Sequence, residues 1–378
     1  MDVFEVAETM VTHVKNNYPD DIAIIAYYGS YAQGTASNRS DLDFFFIPVT
    51  SKGYAATLSF VLNDISFDFW PIGWERAEKM ASFEDPFTTI IADCKLLYVR
   101  SEEDRLRFIK LREDISSNRE PSNGQVLAEK AESQLKDAYV HLYKMSSARN
   151  VEYEITFYRT EAYMILTKVF QCLALLNRTY FSTGWGKNIK QILQLPMIPT
   201  RLEALYQVIT NTMSSADIRL ACEQLTADTL ELVLTQKESY SVNPSYPDRM
   251  KGFYEEAKGT LDKIISACEG GDYDTAFFAA IHIQDEISSF LFFAEKGYWP
   301  NSLEPNLAYQ EIYNRLGFPD LAALLNPQYF SQLQAAVEQL NLLLEHHLQS
   351  QGVGINRYEN IEQLQEFLNN RSTSGKLQ

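Results

Sequence analysis

The sequence predicts an α+β protein, with a small α/β domain at the N-terminus followed by helical bundles. Three observations predict it. Short apolar runs of strand character alternate with helical patterns over residues 1–115. After residue 125 the periodic segments carry apolar residues at three- and four-residue spacing. Polar, Pro- and Gly-bearing runs cut the 378 residues into pieces of domain size.

Val3 to Asn17 reads as an amphipathic helix stopped by Tyr18-Pro19-Asp20-Asp21. Ile22 to Tyr28 is the first strand, and Gly29-Ser30 opens a short helix reaching about Thr35. A second strand runs from Asp41 to Val49, and Tyr54 to Leu62 is expected to be a helical or irregular connection. Ser66 to Pro71 is the third strand, Gly73 to Met80 and Phe87 to Ile91 are helical, and Lys95 to Val99 is a last short strand before a charged helix over Ser101 to Asp114. Ser116 to Gly124 is polar and reads as a linker.

Beyond that linker, helices are expected over Gln125 to Ser147, Glu152 to Leu176, Ile189 to Leu193, Arg201 to Met213 and Ala216 to Lys237. Ile155, Tyr158, Ala162, Ile165 and Val169 form one buried stripe. A second linker at Ser241 to Pro247 precedes helices over Arg249 to Glu269, Tyr273 to Lys296, Leu307 to Leu316, Leu321 to Leu324 and Tyr329 to His347. The expected domains are therefore 1–115, 125–240 and 248–348, with a tail over 349–378 that holds one short helix, Asn360 to Leu368.

Charge and cysteine content bound the function. A net charge of -17 disfavours a protein that grips a phosphate backbone, because such affinity is built from Lys and Arg contacts. It favours a neutral or cationic small substrate. The start of the chain carries no signal-peptide pattern, and no apolar run approaches the roughly 18 residues of a membrane span. Cys94, Cys172, Cys222 and Cys268 form no C-x-x-C pair and read as buried thiols of a cytoplasmic protein. His282 and Glu286 lie four apart on a helix and read as a structural pair rather than a metal site.

The chemistry concentrates between Ile22 and Val49. Strand alternation puts Asp41 and Asp43 on one face, roughly 6.6 Å apart along the backbone, close enough to lean together onto a divalent cation. Without a cation or another positive partner the pair repels, and one carboxyl should have a raised pKa. In Asp64 to Pro71, Ile65, Phe67 and Phe69 alternate with Ser66, Asp68 and Trp70, so Asp68 faces away from the apolar side; Asp64 shares its parity but sits nearer the preceding turn.

Gly29-Ser30, Gly34, Ser40-Asp41 and Asp43 together spell G-S-x3-G-x5-S-D-x-D. This segment resembles the nucleotidyltransferase domain of the DNA polymerase beta superfamily, and the bundle after it resembles the one that follows the catalytic domain in antibiotic, kanamycin-type nucleotidyltransferases. The resemblance implies a polymerase-beta-type domain with a mixed sheet, metal ligation by Asp41 and Asp43 with Asp68 as the third acid, and a triphosphate gripped at Gly29 and Ser30, with Ser40 beside them. It also implies magnesium and ATP as donor, and a small hydroxyl-bearing, aminoglycoside-like acceptor, with homodimerisation open. A carboxylate near the acceptor takes its proton in that family, which makes Glu161 or Asp68 the candidate general base. Lys187, in the turn after the long helix, is the candidate triphosphate contact by the same resemblance. AMP transfer to a partner protein and a non-catalytic nucleotide-binding scaffold are the rival readings.

Overall fold

The computed structural model describes residues 2–37, 40–148, 154–184, 186–240, 245–301 and 309–374, with side chains through residue 369. The chain divides into two compact units, Met1–Lys237 and Glu238–Gln378.

The first unit opens with helix α1 (Val3–Asn17), capped by the Asp2 carboxylate accepting from the Phe4 N–H. Strand β1 (Ile22–Tyr28) leads through the five-residue helix α2 (Gly29–Gln33) to β2 (Asp43–Pro48). After a 3-10 turn at Lys52–Ala56 come β3 (Leu58–Leu62), β4 (Ile65–Pro71), α3 (Trp74–Ala81), α4 (Thr88–Asp93), β5 (Lys95–Val99) and α5 (Glu102–Asn118). The sheet order is β3-β4-β2-β1-β5; β2 and β4 run parallel and the other neighbours antiparallel, which makes the sheet mixed.

One face of this sheet, Ile25, Phe44, Phe46, Phe67 and Phe69, is buried against Val3, Val6, Met10 and Val14 of α1. On the other face Ile24, Ala26, Phe45 and Ile47 are fully buried, while the opposite end of the same face carries Tyr28, Asp43 and Asp68. The strands therefore have one end for packing and one end for polar chemistry.

Two expectations are corrected. Residues 58–62 form an edge strand rather than a helical or irregular connection, because Asn63 (φ 51°) and Asp64 (φ 59°) make a two-residue turn with both φ positive that folds β3 back onto β4. The stretch Ser116–Gly124 is a tight break instead of a linker: α5 continues to Asn118, a 3-10 turn covers Pro121–Asn123, and the next helix starts at Gly124.

The first unit continues with α6 (Gly124–Ser147), α7 (Glu154–Leu176), α8 (Ile189–Ile192), α9 (Leu202–Asn211) and α10 (Ser215–Ser239). Ala162, Ile165 and Val169 are buried on α7, and Tyr158, partly buried, donates its hydroxyl to the Met145 carbonyl of α6 at 3.0 Å.

The second unit holds α11 (Tyr246–Arg249), α12 (Phe253–Gly270), α13 (Tyr273–Lys296), α14 (Gln310–Arg315), a 3-10 turn at Ala322–Leu324, α15 (Ser331–Ser350) and α16 (Ile361–Ser374). Its core is built from Leu261, Ile264, Ile283, Ile287, Leu340 and Leu344, which share one cluster. Residues 241–244 of the expected second linker and 302–308, which include the start of the helix expected from Leu307, lie outside the described residues, as do Glu152 and Trp185. Among the described residues no helix is long and apolar enough to cross a membrane, and all four cysteines are free and buried.

Candidate active site

The turn after β1 explains the glycine at position 29. Its φ of +72° lies in the left-handed region, and a Cβ placed there would stand 2.3 Å from Asp43 Oδ2. Gly29 is thus required twice, by its backbone conformation and by the carboxylate pressed against it. Tyr28, the residue before it, is paired across the ladder with Asp43.

Parallel pairing of Phe44 with Phe69 sets Asp43 beside Asp68 on neighbouring strands, on one face. Asp43 is half-buried and has no hydrogen-bond donor among the described residues. Burial first, then the charges of Asp41 and Asp68, push its pKa from 3.8 up to about 6. The sequence predicted a raised carboxyl in this pair, and the structure identifies which one: the residue inside the strand, with acids on two sides.

Asp41 precedes β2 rather than opening it, since the ladder with β1 begins at Asp43; the intervening Leu42 is fully buried and holds the segment down. Asp68 is exposed, and its Oδ1 accepts the Ser59 hydroxyl of β3 at 2.6 Å. Asp64 sits in the β3–β4 turn, at the far end of β4 from Asp68's neighbours on β2.

Two residues that the sequence reading passed over belong to this cluster. The Tyr28 hydroxyl accepts the Trp70 indole N–H at 3.1 Å, and burial together with the Asp43 charge raises its pKa to about 12. Trp70 in turn carries the Arg76 guanidinium over its ring at 5.2 Å, and Arg76 Nε donates to Asp85 Oδ2 at 3.0 Å. Trp70 shares the parity of Asp68, so strand alternation alone would have placed it on the acidic face.

The remaining expected residues are placed as follows. Ser30 lies inside α2, whose N-cap position is Tyr28, and its hydroxyl has no partner among the described residues. Ser40 closes its own loop, the Ser37 N–H donating to its hydroxyl at 2.8 Å. Lys187 is exposed, in a turn held by its N–H to the Gly184 carbonyl, with no side-chain partner among the described residues. Glu161 is buried on α7, where His141 Nδ1 of α6 lies 2.5 Å from Oε2 and Lys144 donates to both oxygens at 3.4 Å. Two other cations of α7 are engaged elsewhere: Lys168 binds Asp137 at 2.7 Å and Arg159 donates to the Thr212 carbonyl.

The first unit also contains a cavity of about 820 Å³. Residues 83–89 form one wall, α7 a second, and residues 179–184 with Gly186 and Asn188 a third. The link to the aspartates is short: Gln33, the last residue of α2, donates its side-chain N–H to the Ser182 carbonyl of the third wall, and Asp85 of the first wall holds Arg76 against Trp70.

The chemistry of the donor set fits a hard divalent cation: carboxylate oxygens only, one of them half-buried without a donor and flanked by two like charges. As they stand, among the described residues, no three His, Cys, Asp or Glu side chains are drawn close enough to hold a metal ion. The acids are within electrostatic reach of one another without being gathered as ligands.

Residues 105–239 match the family described as the KNTase (kanamycin nucleotidyltransferase) C-terminal domain. The match supports a nucleotidyltransferase, an enzyme of phosphorus-group transfer, and it covers the bundle formed by α6 to α10. Among solved structures, a nucleotidyltransferase-like protein from Exiguobacterium sibiricum 255-15 aligns with a TM-score of 0.37 at 8% identity, over 62% of this chain and 78% of that one. A similarity that remote carries no weight for function. No curated protein matches the chain.

Proposed function

We propose that the protein transfers a nucleoside monophosphate, AMP from ATP, to a hydroxyl of a small molecule and releases pyrophosphate. The observation that carries this reading is the closeness of Gly29 to Asp43, which supports setting the phosphate-gripping turn of the resemblance against an acid that feels the charges of Asp41 and Asp68.

Asp41, Asp43 and Asp68 would hold magnesium, which when bound neutralises the triphosphate and offsets the repulsion within the acid cluster. The Gly29 turn, which tolerates no side chain, admits the phosphates close to the backbone, and the unused Ser30 hydroxyl can donate to them. The acceptor oxygen bonds to the α-phosphorus as the bond from that phosphorus to the bridging oxygen breaks, and pyrophosphate departs with the electron pair. The acceptor's proton passes to Asp68, whose second oxygen has no hydrogen bond among the described residues, whereas both oxygens of Glu161 are engaged by His141 and Lys144. Lys187, exposed at the edge of the segment that walls the cavity, is in this reading a mobile cation for the triphosphate. Catalysis is then a matter of positioning and charge, with no covalent intermediate on the protein.

The acceptor is a small hydroxyl-bearing molecule; the resemblance and the acidic balance favour aminoglycoside-like antibiotics, whereas the lining of the cavity, taken up below, favours an uncharged ring-bearing molecule. The test is pyrophosphate release from Mg-ATP with an acceptor panel, together with mass spectrometry of the product. Asp43→Asn should abolish release with the fold retained, and turnover unchanged by that substitution would overturn the assignment.

A further inference from the structure

The walls of the cavity constrain what it can hold. Phe83, Phe87, Leu166, Phe170 and Ile209 give it a hydrocarbon and aromatic lining, and Tyr163 adds a ring from α7. Two carboxylates line it, and both are already paired. Asp85 is bound by Arg76 at 3.0 Å and accepts the Phe87 N–H at 2.9 Å, and Glu84 faces Lys130 at 3.4 Å. The cation that lines it, Arg159, has given a guanidinium N–H to the Thr212 carbonyl. Each lining carboxylate among the described residues thus already faces a cation, and Arg159 adds a positive charge that repels an ammonium group.

One buried polar side-chain atom in the lining has no partner among the described residues. Gln171 Oε1 is buried with no hydrogen-bond partner among the described residues, an arrangement that costs free energy unless a ligand donor meets it. Apolar walls of this size with one unpaired acceptor are the composition of a site for a drug-sized ligand that is oriented by a single hydrogen bond.

We infer that the cavity seats an uncharged, ring-bearing molecule that donates a hydroxyl or amine hydrogen to Gln171, and that a polycationic aminoglycoside is excluded from it. This rests on the transfer reading only in naming that molecule as the acceptor; its binding does not.

The test uses the full chain, with isothermal titration and thermal melting against three probes: a panel of hydroxyflavones and naphthols, kanamycin, and a nonhydrolysable ATP analogue with magnesium. Members of the aromatic panel are expected to bind and to raise the melting temperature, and kanamycin to do neither. Thr167→Trp, which fills the space beside α7, and Gln171→Leu, which removes the acceptor, should each weaken the aromatic ligand about tenfold or more, with binding of the ATP analogue unchanged. Kanamycin binding that Thr167→Trp weakens, or the binding of no aromatic ligand, would overturn the inference. Loss of ATP-analogue binding in both variants would also overturn it, because the cavity would then seat the nucleobase. Aromatic binding that persists in Asp43→Asn supports the cavity assignment, and aromatic binding without AMP transfer in the unaltered protein would sink the transfer reading alone.

Discussion

Replacing Asp43 by Asn should stabilise the metal-free protein while removing its activity, and the size of the gain follows from the site. The folded chain holds the Asp43 proton to about pH 6, against 3.8 for an ordinary aspartate. A folded-state pKa above the unfolded one means that stability is fully present below about pH 4 and is lost as pH rises through about 6. The difference amounts to about 3 kcal/mol at about 1.4 kcal/mol per pH unit. The carboxyl is still partly in water, and screening reduces the expected cost to about 1–2 kcal/mol. Asn has nearly the same shape and carries no charge. In EDTA at pH 8, Asp43→Asn should therefore melt roughly 2–8 °C above the unaltered protein. The gap should close at pH 4, where both side chains are neutral. Magnesium should raise the melting temperature of the unaltered protein alone, since only it retains the central carboxylate. A variant that melts at or below the unaltered protein at pH 8, or a gap that ignores pH, would refute the idea that the acids strain one another in the absence of a cation.

Three further outcomes follow from the same geometry. Gly29→Ala forces a Cβ against Asp43 in a left-handed backbone, so turnover should fall about a hundredfold with a loss of about 1–2 kcal/mol in a urea melt. Asp64→Gly relieves a positive φ in the β3–β4 turn and should raise stability by about 0.5–1 kcal/mol with kcat unchanged, the pattern of a turn residue and not of a third acid. Glu161→Gln removes the charge that His141 and Lys144 share, and calorimetry should show about 1–3 kcal/mol lost with kcat per folded molecule retained, whereas Asp68→Asn should lower kcat about a hundredfold or more and leave the melt nearly unmoved.

What was legible in the sequence was whatever is local. The first and last strands follow from runs of β-branched and aromatic residues, and the common face of Asp43 and Asp68 follows from alternation. The β3 strand escaped because Leu58, Val61 and Leu62 are exposed at the sheet edge, so no half-buried alternation marks it; the better signal was Asn63-Asp64 standing between two apolar runs. Asp41 falls outside β2 because a strand needs a partner, and β1 runs out at Tyr28. The engagement of Glu161 depends on α6, which lies twenty residues earlier, and the cavity gathers residues from 83 to 210 with no local pattern to announce it.

The ring of Phe69 lies 5.1 Å from Phe44 and 4.5 Å from Phe46, with all three fully buried against the α1 side. A slip of β4 by one residue would turn Asp68 into that hydrocarbon and put a phenyl group among the acids. The packed rings thus act as a detent that fixes the phase of the strand, and the reactive side of the sheet is indexed from its greasy underside. Drift in those phenylalanines would register first as lost chemistry, well before the domain ceased to fold.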